Sequence, residues 1–261
     1  MRKYVLGTKK EEQERLHLQR KVYGKLPIKF SSTDTICEIG CGAGANLWIA
    51  KHLAHGKFVG IDTEQEQLDS AKSYADKLGL NNTLFIRSVG EKTEFPDNYF
   101  DVVFCSFLLI HQPDPMQIIK EMFRITKKGG SIFVFEPDFR DHYFVPDKDI
   151  FTKCYLAFGN YTASKGNFSI EIAKNLYPLL RKMNFCKIKI NPIVKVYTGE
   201  SQENILNTLK CYYRLFSSIR DELIKENVLT TEDFNNASIE SKIVSDDSYI
   251  KLSLIMAQCI K

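Results

Sequence analysis

The residues with the clearest chemical spacing are two carboxylates and three glycines: Glu38, then Gly40, Gly42 and Gly44, then Asp62. Glycines in a tight turn reach backbone conformations that a Cβ forbids, and they let a ligand lie against the main chain and a following helix N-terminus. Gly40-x-Gly42-x-x-Ala45 fits the dinucleotide fingerprint, and Asp62 stands about 20 residues further on, where a ribose-binding carboxylate belongs. Glu38 argues for a different occupant. A carboxylate two residues before the first glycine repels a pyrophosphate but suits a ligand carrying an ammonium and a sulfonium.

S-adenosylmethionine is such a ligand, and a pyridine dinucleotide is the competing one. For proton transfer, His111 is the leading general base because it titrates near neutrality. Its other reading is a structural one, packing or capping the loop that follows. Glu136, His142 and Tyr143 are alternative proton acceptors. Cys105 has no sequence neighbour that would activate it as a nucleophile. His and Cys never cluster at ligand spacing, so no metal is expected, and Glu136, Asp138 and Asp141 read as a solvated loop.

Glu38-Ile39-Gly40-Cys41-Gly42-Ala43-Gly44 is followed in order by Val59-Gly60-Ile61-Asp62, by Phe95 through Val103, by Leu109-Ile110-His111-Gln112-Pro113-Asp114-Pro115 and by Lys127-Lys128-Gly129-Gly130. This ordered set resembles the class I S-adenosylmethionine-dependent methyltransferase family over roughly residues 30–137, about 40% of the chain. The resemblance implies an α/β fold: a doubly wound, mostly parallel seven-stranded sheet with helices on both faces and a helical lid. It implies S-adenosylmethionine as cofactor and S-adenosylhomocysteine as product. The backbone from Glu38 through Gly40 and Gly42 to Gly44 would cradle the methionine and ribose portions, and Asp62 would bind both ribose hydroxyls, with Thr63 beside it. Tyr4, in Tyr4-Val5-Leu6-Gly7, would close over the donor, the other reading being a surface aromatic on a frayed terminus. In Cys105-Ser106-Phe107 a backbone carbonyl would meet the donor's amino group and side chains would meet the substrate. Relatives carry Gly-Asp-Ala after the third strand, whereas Ser88-Val89-Gly90 stands here. Adenine would then rest on Val89 and Gly90, or on Glu91 as a substitute acid.

These residues need elements to place them. Thr35 to Ile39 reads as a buried parallel strand, and the pattern from Leu47 to Ala54 as the helix after the glycine turn. Thr8-x-x-Glu11 is a capping box opening a helix to about Tyr23. Strands are expected at Phe58–Ile61, 83–87, 101–105, 131–136, 185–190 and 251–260. Thr63-x-x-Glu66 caps the helix carrying Leu68, Ala71, Ala75 and Leu78. Asp114-Pro115 opens another, which Gly129 ends. A helix is expected at 170–183, and a stripe from Ile205 to Leu223 predicts one long helix over 201–226. Its stripe serves core or lid packing, or a subunit interface. Alternating strands and amphipathic helices place ligands at the carboxyl ends of the strands.

The expected organisation is one domain overall: an N-terminal lid segment and helix (1–30), a donor-binding core (31–137), an aromatic-rich cap (138–168), a core continuation (169–198), a helical insertion (199–247) and a final core strand (248–261). A chain of 261 residues with 44% hydrophobic and 26% charged residues can bury one such core. The net charge of +4, from 36 basic and 32 acidic residues, is slight and dispersed, which argues against nucleic acid. Seven cysteines without a C-x-x-C pair read as reduced, packed thiols. The first 25 residues lack a signal-peptide core, and no apolar run approaches the ~18 residues of a membrane helix, so a cytoplasmic protein without membrane contact is expected, as monomer or homodimer.

The leading expectation is a methyltransferase acting on an O, N or C atom of a small aromatic or apolar acceptor. An enzyme methylating RNA or protein, and a donor-binding regulator without catalysis, are the competing readings.

Overall fold

The structure is a computed structural model that describes residues 10–145, 150–166, 168–238 and 244–261. Tyr4, its Tyr4–Gly7 segment and Thr8 of the expected capping box lie outside the described residues. The chain forms two compact units. One comprises Lys25–Pro137, Glu171–Pro192 and Leu254–Lys261; the other comprises the described residues up to Gly24 with Asp138–Ile170 and Ile193–Ser253.

The first unit is built on β1 (Thr35–Ile39), β2 (Lys57–Asp62), β3 (Thr83–Arg87), β4 (Phe100–Ser106) and β5 (Thr126–Pro137). These are mutually parallel in the order β3-β2-β1-β4-β5. β1, β2, β4 and β5 form because their apolar residues run almost unbroken, as strands buried on both faces require: Ile36, Cys37, Phe58, Val59, Val103, Phe104 and Val134 are all buried, whereas the edge strand β3 is only partly covered. Helices α2 (Gln65–Lys77) and α3 (Pro115–Ile125) pack against these strands. Asp114 caps α3 by accepting the Met116 N–H, and Pro115 takes its first position, where no N–H is needed.

Three expectations differ here. No α-helix follows the glycine turn; residues 41–49 form successive turns that end in a 3₁₀ turn at Ala50–His52. The N–H groups of Leu47, Ile49, His52 and Leu53 each bond three residues back, and Asn82 takes the Ala50 and Leu53 carbonyls from outside. Thr63 does not cap α2, whose preceding residue Glu64 has its N–H held by Asp62 Oδ1 at 3.0 Å. Helix α3 stops at Ile125 rather than at Gly129, because the Thr126 hydroxyl turns back onto the Met122 carbonyl and Thr126 pairs with Phe100 in the sheet. Strand β5 therefore starts at Thr126, five residues before the expected Ser131.

In the second unit, α1 (Lys10–Tyr23) packs on α6 (Gln202–Ser217), and β6 (Tyr143–Val145) leads to α4 (Ile150–Ser164). The helix expected at 170–183 is α5 (Ile172–Leu180), which belongs to the first unit. The single helix expected over 201–226 is broken into α6 and α7 (Arg220–Lys225), after which comes α8 (Thr231–Ala237). At the break the Ser218 hydroxyl bonds the Leu215 carbonyl, competing with the helical ladder.

Strands β7 (Lys187–Thr198) and β8 (Tyr249–Ile260) run through both units. Strand β8 is antiparallel to β5, with Ser131 opposite Ile260 and Pro137 opposite Leu254, and its first residues pair with β6. With β7 also paired to β8, seven strands make the doubly wound sheet, and the short β6 is an eighth.

Candidate cofactor site

The carboxyl ends of β1, β2, β3 and β4 meet in the first unit, joined by the glycine turn. The Ile61 carbonyl accepts two N–H groups of the turn, from Gly40 at 2.7 Å and Cys41 at 3.0 Å. Asp62 Oδ2 accepts a third, from Gly42 at 2.8 Å. The backbone leaves no room for side chains. Gly40 has φ +74°, and a Cβ there would lie 2.9 Å from Leu108 Cδ1; Gly44 has φ +80°, and a Cβ there would lie 2.8 Å from Leu47 Cδ1.

Glu38, only 1% exposed, stands on β1 beside this turn. Its Oε1 accepts from Asn46 Nδ2 at 2.6 Å and from the Ser106 hydroxyl at 3.4 Å. Its Oε2 is buried and has no hydrogen-bond partner among the described residues. Burial pushes the Glu38 pKa up to about 8, against the Asn46 and Ser106 hydrogen bonds that lower it. Burial also raises the pKa of Asp62, while the N–H groups of Glu64 and Gly42 pull it back.

A buried carboxylate oxygen without a donor is costly, and a cation brought to it both satisfies the oxygen and holds the carboxyl ionised. Glu38 therefore fits an ammonium, and the side-chain-free turn fits a nucleoside lying against the backbone. Thr63 follows Asp62 and is half-buried, its hydroxyl reaching Glu64 Oε1 at 3.5 Å. After β3, Val89 is 39% exposed, and Gly90 is buried against Ile39 and Ile118.

The segment after β4 is shaped by Glu136 of β5, which is fully buried. It accepts backbone N–H groups from Leu108 at 3.1 Å, Leu109 at 2.7 Å and Ile110 at 3.3 Å. Burial pushes its pKa up to about 8 against these donors. With three N–H groups on it, Glu136 is a clamp for this turn, not a solvated loop residue. The turn carries His111, half-buried, at the end of a short 3₁₀ turn Leu109–His111. Phe107 just before it has φ +54°, an outlier for a bulky residue, with its N–H on the Phe135 carbonyl at 2.9 Å. The Cys105 thiol is buried and its pKa pushed up by burial, so only its backbone is available to a ligand.

His142 belongs to the second unit and is buried there. Its Nδ1 donates to the Asp138 carbonyl at 2.8 Å, so its Nε2 accepts from the Tyr23 hydroxyl at 3.1 Å, and Tyr23 in turn accepts from Tyr212. Burial lowers the His142 pKa to about 4. Sequence reading missed Asn46, the contact of Ser106 with Glu38 and the clamping role of Glu136. A polar Asn46 inside the apolar stretch from Ala43 to Ala50 was the one signal available for them.

Residues 37–134 match the model of a methyltransferase domain family. An uncharacterized methyltransferase of Schizosaccharomyces pombe is 34% identical over 113 residues, 41% of this chain and 41% of its own. A sterol 24-C-methyltransferase of Aspergillus fumigatus is 32% identical over 39% of this chain and 27% of its own, and a phosphatidylethanolamine N-methyltransferase of Cereibacter sphaeroides is 31% identical over 41% and 52%. The aligned part is thus about a quarter to a half of each relative's length. Among solved structures, the YcgJ protein of Bacillus subtilis is similar with a TM-score of 0.55 at 18% identity, covering 95% of this chain and 98% of that one. Phosphoethanolamine N-methyltransferase 2 of Haemonchus contortus, in complex with S-adenosylmethionine, is similar with a TM-score of 0.55 at 17% identity, covering 95% and 52%. The strand order and the acid-flanked glycine turn agree with the matched stretch, so residues 37–134 are similar to the methyltransferase domain family, in line with the resemblance to class I S-adenosylmethionine-dependent methyltransferases.

Proposed function

We propose that this protein transfers a methyl group from S-adenosylmethionine to an O, N or C atom of a small aromatic or apolar acceptor, releasing S-adenosylhomocysteine. The observation that carries the reading is the partnerless Oε2 of buried Glu38 beside a glycine turn whose Gly42 N–H is held by Asp62. A small acceptor is supported by the sterol and phosphatidylethanolamine methyltransferases among the relatives. Seven free cysteines suit a reducing compartment, in keeping with a cytoplasmic enzyme. Among the described residues no helix is long and apolar enough to cross a membrane.

When bound, the donor supplies an electrophilic methyl on a sulfonium that leaves as a neutral thioether. Glu38 Oε2 would face the ammonium, and Asp62 would take the ribose hydroxyls with the lone pairs its backbone contacts leave free. Val89 and Gly90 would border the adenine. The strained backbone at Phe107 and the Glu136 clamp would fix the edge of the site where the acceptor meets the methyl. Holding the two reactants in line supplies much of the acceleration, up to ~7–11 kcal/mol in model systems. His111 receives the acceptor's proton where the acceptor is a hydroxyl, phenol or amine.

Calorimetry with S-adenosylhomocysteine, followed by a screen of small-molecule acceptors with labelled donor, tests this. Asp62→Ala should weaken donor binding by about 10- to 100-fold, the range for one or two charge-assisted hydrogen bonds. His111→Ala should lower turnover while leaving donor affinity within about twofold. Label appearing in RNA or protein fractions, or binding without turnover, would move the assignment to the competing classes.

A further inference from the structure

Besides Glu38, one other buried side-chain oxygen of the first unit has no hydrogen-bond partner among the described residues: Oε1 of Gln67. Gln67 is 3% exposed and lies in the first turn of α2, directly after the β2 end that carries Asp62. Its place on the helix is informative. Residues four apart share a helix face, and Ala71, four residues on, has its Cβ 3.2 Å from where a Cβ on Gly44 would sit. The face of α2 that bears Gln67 and Ala71 therefore looks onto the glycine turn. A glutamine on that face is out of keeping with its neighbours, since Leu68, Ala71 and Ala75 bury apolar groups there.

An acceptor oxygen calls for a donor. S-adenosylmethionine carries three kinds of N–H or O–H group: the ammonium, the two ribose hydroxyls and the adenine amino group. Glu38 and Asp62 account for the first two. The amino group has no acid waiting for it, because Ser88-Val89-Gly90 follows β3. Gln67, in the first turn after β2 on the helix face that meets Gly44, carries a buried carbonyl oxygen with no partner among the described residues. We propose that Gln67 is a specificity-determining residue whose side-chain carbonyl accepts a hydrogen bond from the 6-amino group of the donor's adenine. This rests on the methyl-donor reading above and goes beyond it, assigning the recognition of the base to α2 rather than to the segment after β3.

The test compares S-adenosylhomocysteine with its purine analogue lacking the 6-amino group, by calorimetry, on wild type, Gln67→Met and Gln67→Asn. The missing group is replaced by hydrogen, so a rotated amide cannot restore the contact. Wild type should prefer the adenine compound by about 5- to 10-fold, the range for one neutral hydrogen bond. Gln67→Met should lose that preference, weakening only the adenine compound, and its ligand-free melting temperature should not fall, because an unsatisfied oxygen has been removed. Gln67→Asn keeps the amide but withdraws the oxygen by one methylene, and it should lose the preference as well. Equal weakening of both compounds, or an unchanged preference in either variant, would overturn the proposal. Wild type binding neither compound would instead defeat the donor reading itself and this inference with it.

Discussion

Glu136 and Leu109 are 27 residues apart in the chain, yet the Leu109 N–H meets the Glu136 carboxylate at 2.7 Å, and the N–H groups of Leu108 and Ile110 reach the same side chain. The carboxylate thereby replaces the partners that an irregular turn cannot supply for itself. His111 is the next residue, so its position depends on Glu136 without any contact between the two side chains being needed.

Glu136→Leu keeps the volume and removes the acceptors. Each buried N–H left unpaired costs about 1–3 kcal/mol, so a loss of stability on the order of 3 kcal/mol is expected after partial relaxation of the turn. Turnover should fall at least about tenfold through displaced His111, while donor affinity changes less than about threefold. Thermal melts and steady-state kinetics check the split. A variant that loses donor binding and turnover together would show that Glu136 supports the whole site rather than its acceptor edge.

Glu38 makes the ligand-free protein sensitive to pH. Its folded pKa, about 8, lies above the ordinary value of 4.5. The folded state therefore holds a proton that the unfolded state has released, so the contribution is fully present below about pH 4.5 and is lost as pH rises through 8. Glu136 acts with the same sign. Melting temperature without ligand should fall between about pH 6 and pH 8.5, and Glu38→Gln should flatten part of that slope, by an amount on the order of 2–4 kcal/mol. Donor binding brings an ammonium to Oε2 and should release up to about one proton near pH 6.5, which calorimetry in buffers of different ionisation enthalpy detects. Absence of proton release in wild type, or its persistence in Glu38→Gln, would contradict the pairing.

Local signals in the sequence located those elements whose causes are local. Strand β3 spans Thr83–Arg87 as its pattern indicates, and Asp114-Pro115 opens α3 because cap and first position are fixed by adjacent residues. The stretch from Leu47 to Ala54 misleads, since its apolar spacing is helical but Asn82 draws its carbonyls away from a distance of 29 to 32 residues. The same limit governs the site. The glycine turn and its two acids are contiguous enough to read, whereas Glu38 meets Ser106 across 68 residues and Thr93 meets Glu121 across 28. Only the folded sheet brings such pairs together. A buried Gln67 could not be told from an exposed one, because burial depends on which face of α2 meets Gly44.

His142 supplies a prediction of opposite sign to that of Glu38. Its neutral Nε2 accepts from Tyr23, which accepts from Tyr212, so three elements of the second unit are tied through one imidazole. Besides these hydroxyls, the ring faces Tyr155 at 5.8 Å between ring centroids, and Asp141 and Lys251 exert opposing fields on it. Burial lowers its pKa to about 4, below the ordinary 6.5, so the folded state binds fewer protons than the unfolded one in that interval. The contribution is complete above about pH 6.5 and is lost as pH falls through 4. At neutral pH His142 is uncharged, with its Nε2 engaged by the Tyr23 hydroxyl. Tyr23→Phe removes the O–H that fills Nε2 and leaves a buried ring nitrogen unpaired, costing about 1–3 kcal/mol at pH 7.5. The loss should shrink toward pH 5, because a ring without its neutral-form partner protonates more readily and finds water as the unit loosens. Melting curves of wild type and Tyr23→Phe across that range measure it, and a penalty independent of pH would show that packing of Tyr23, rather than its bond to His142, holds the three elements together.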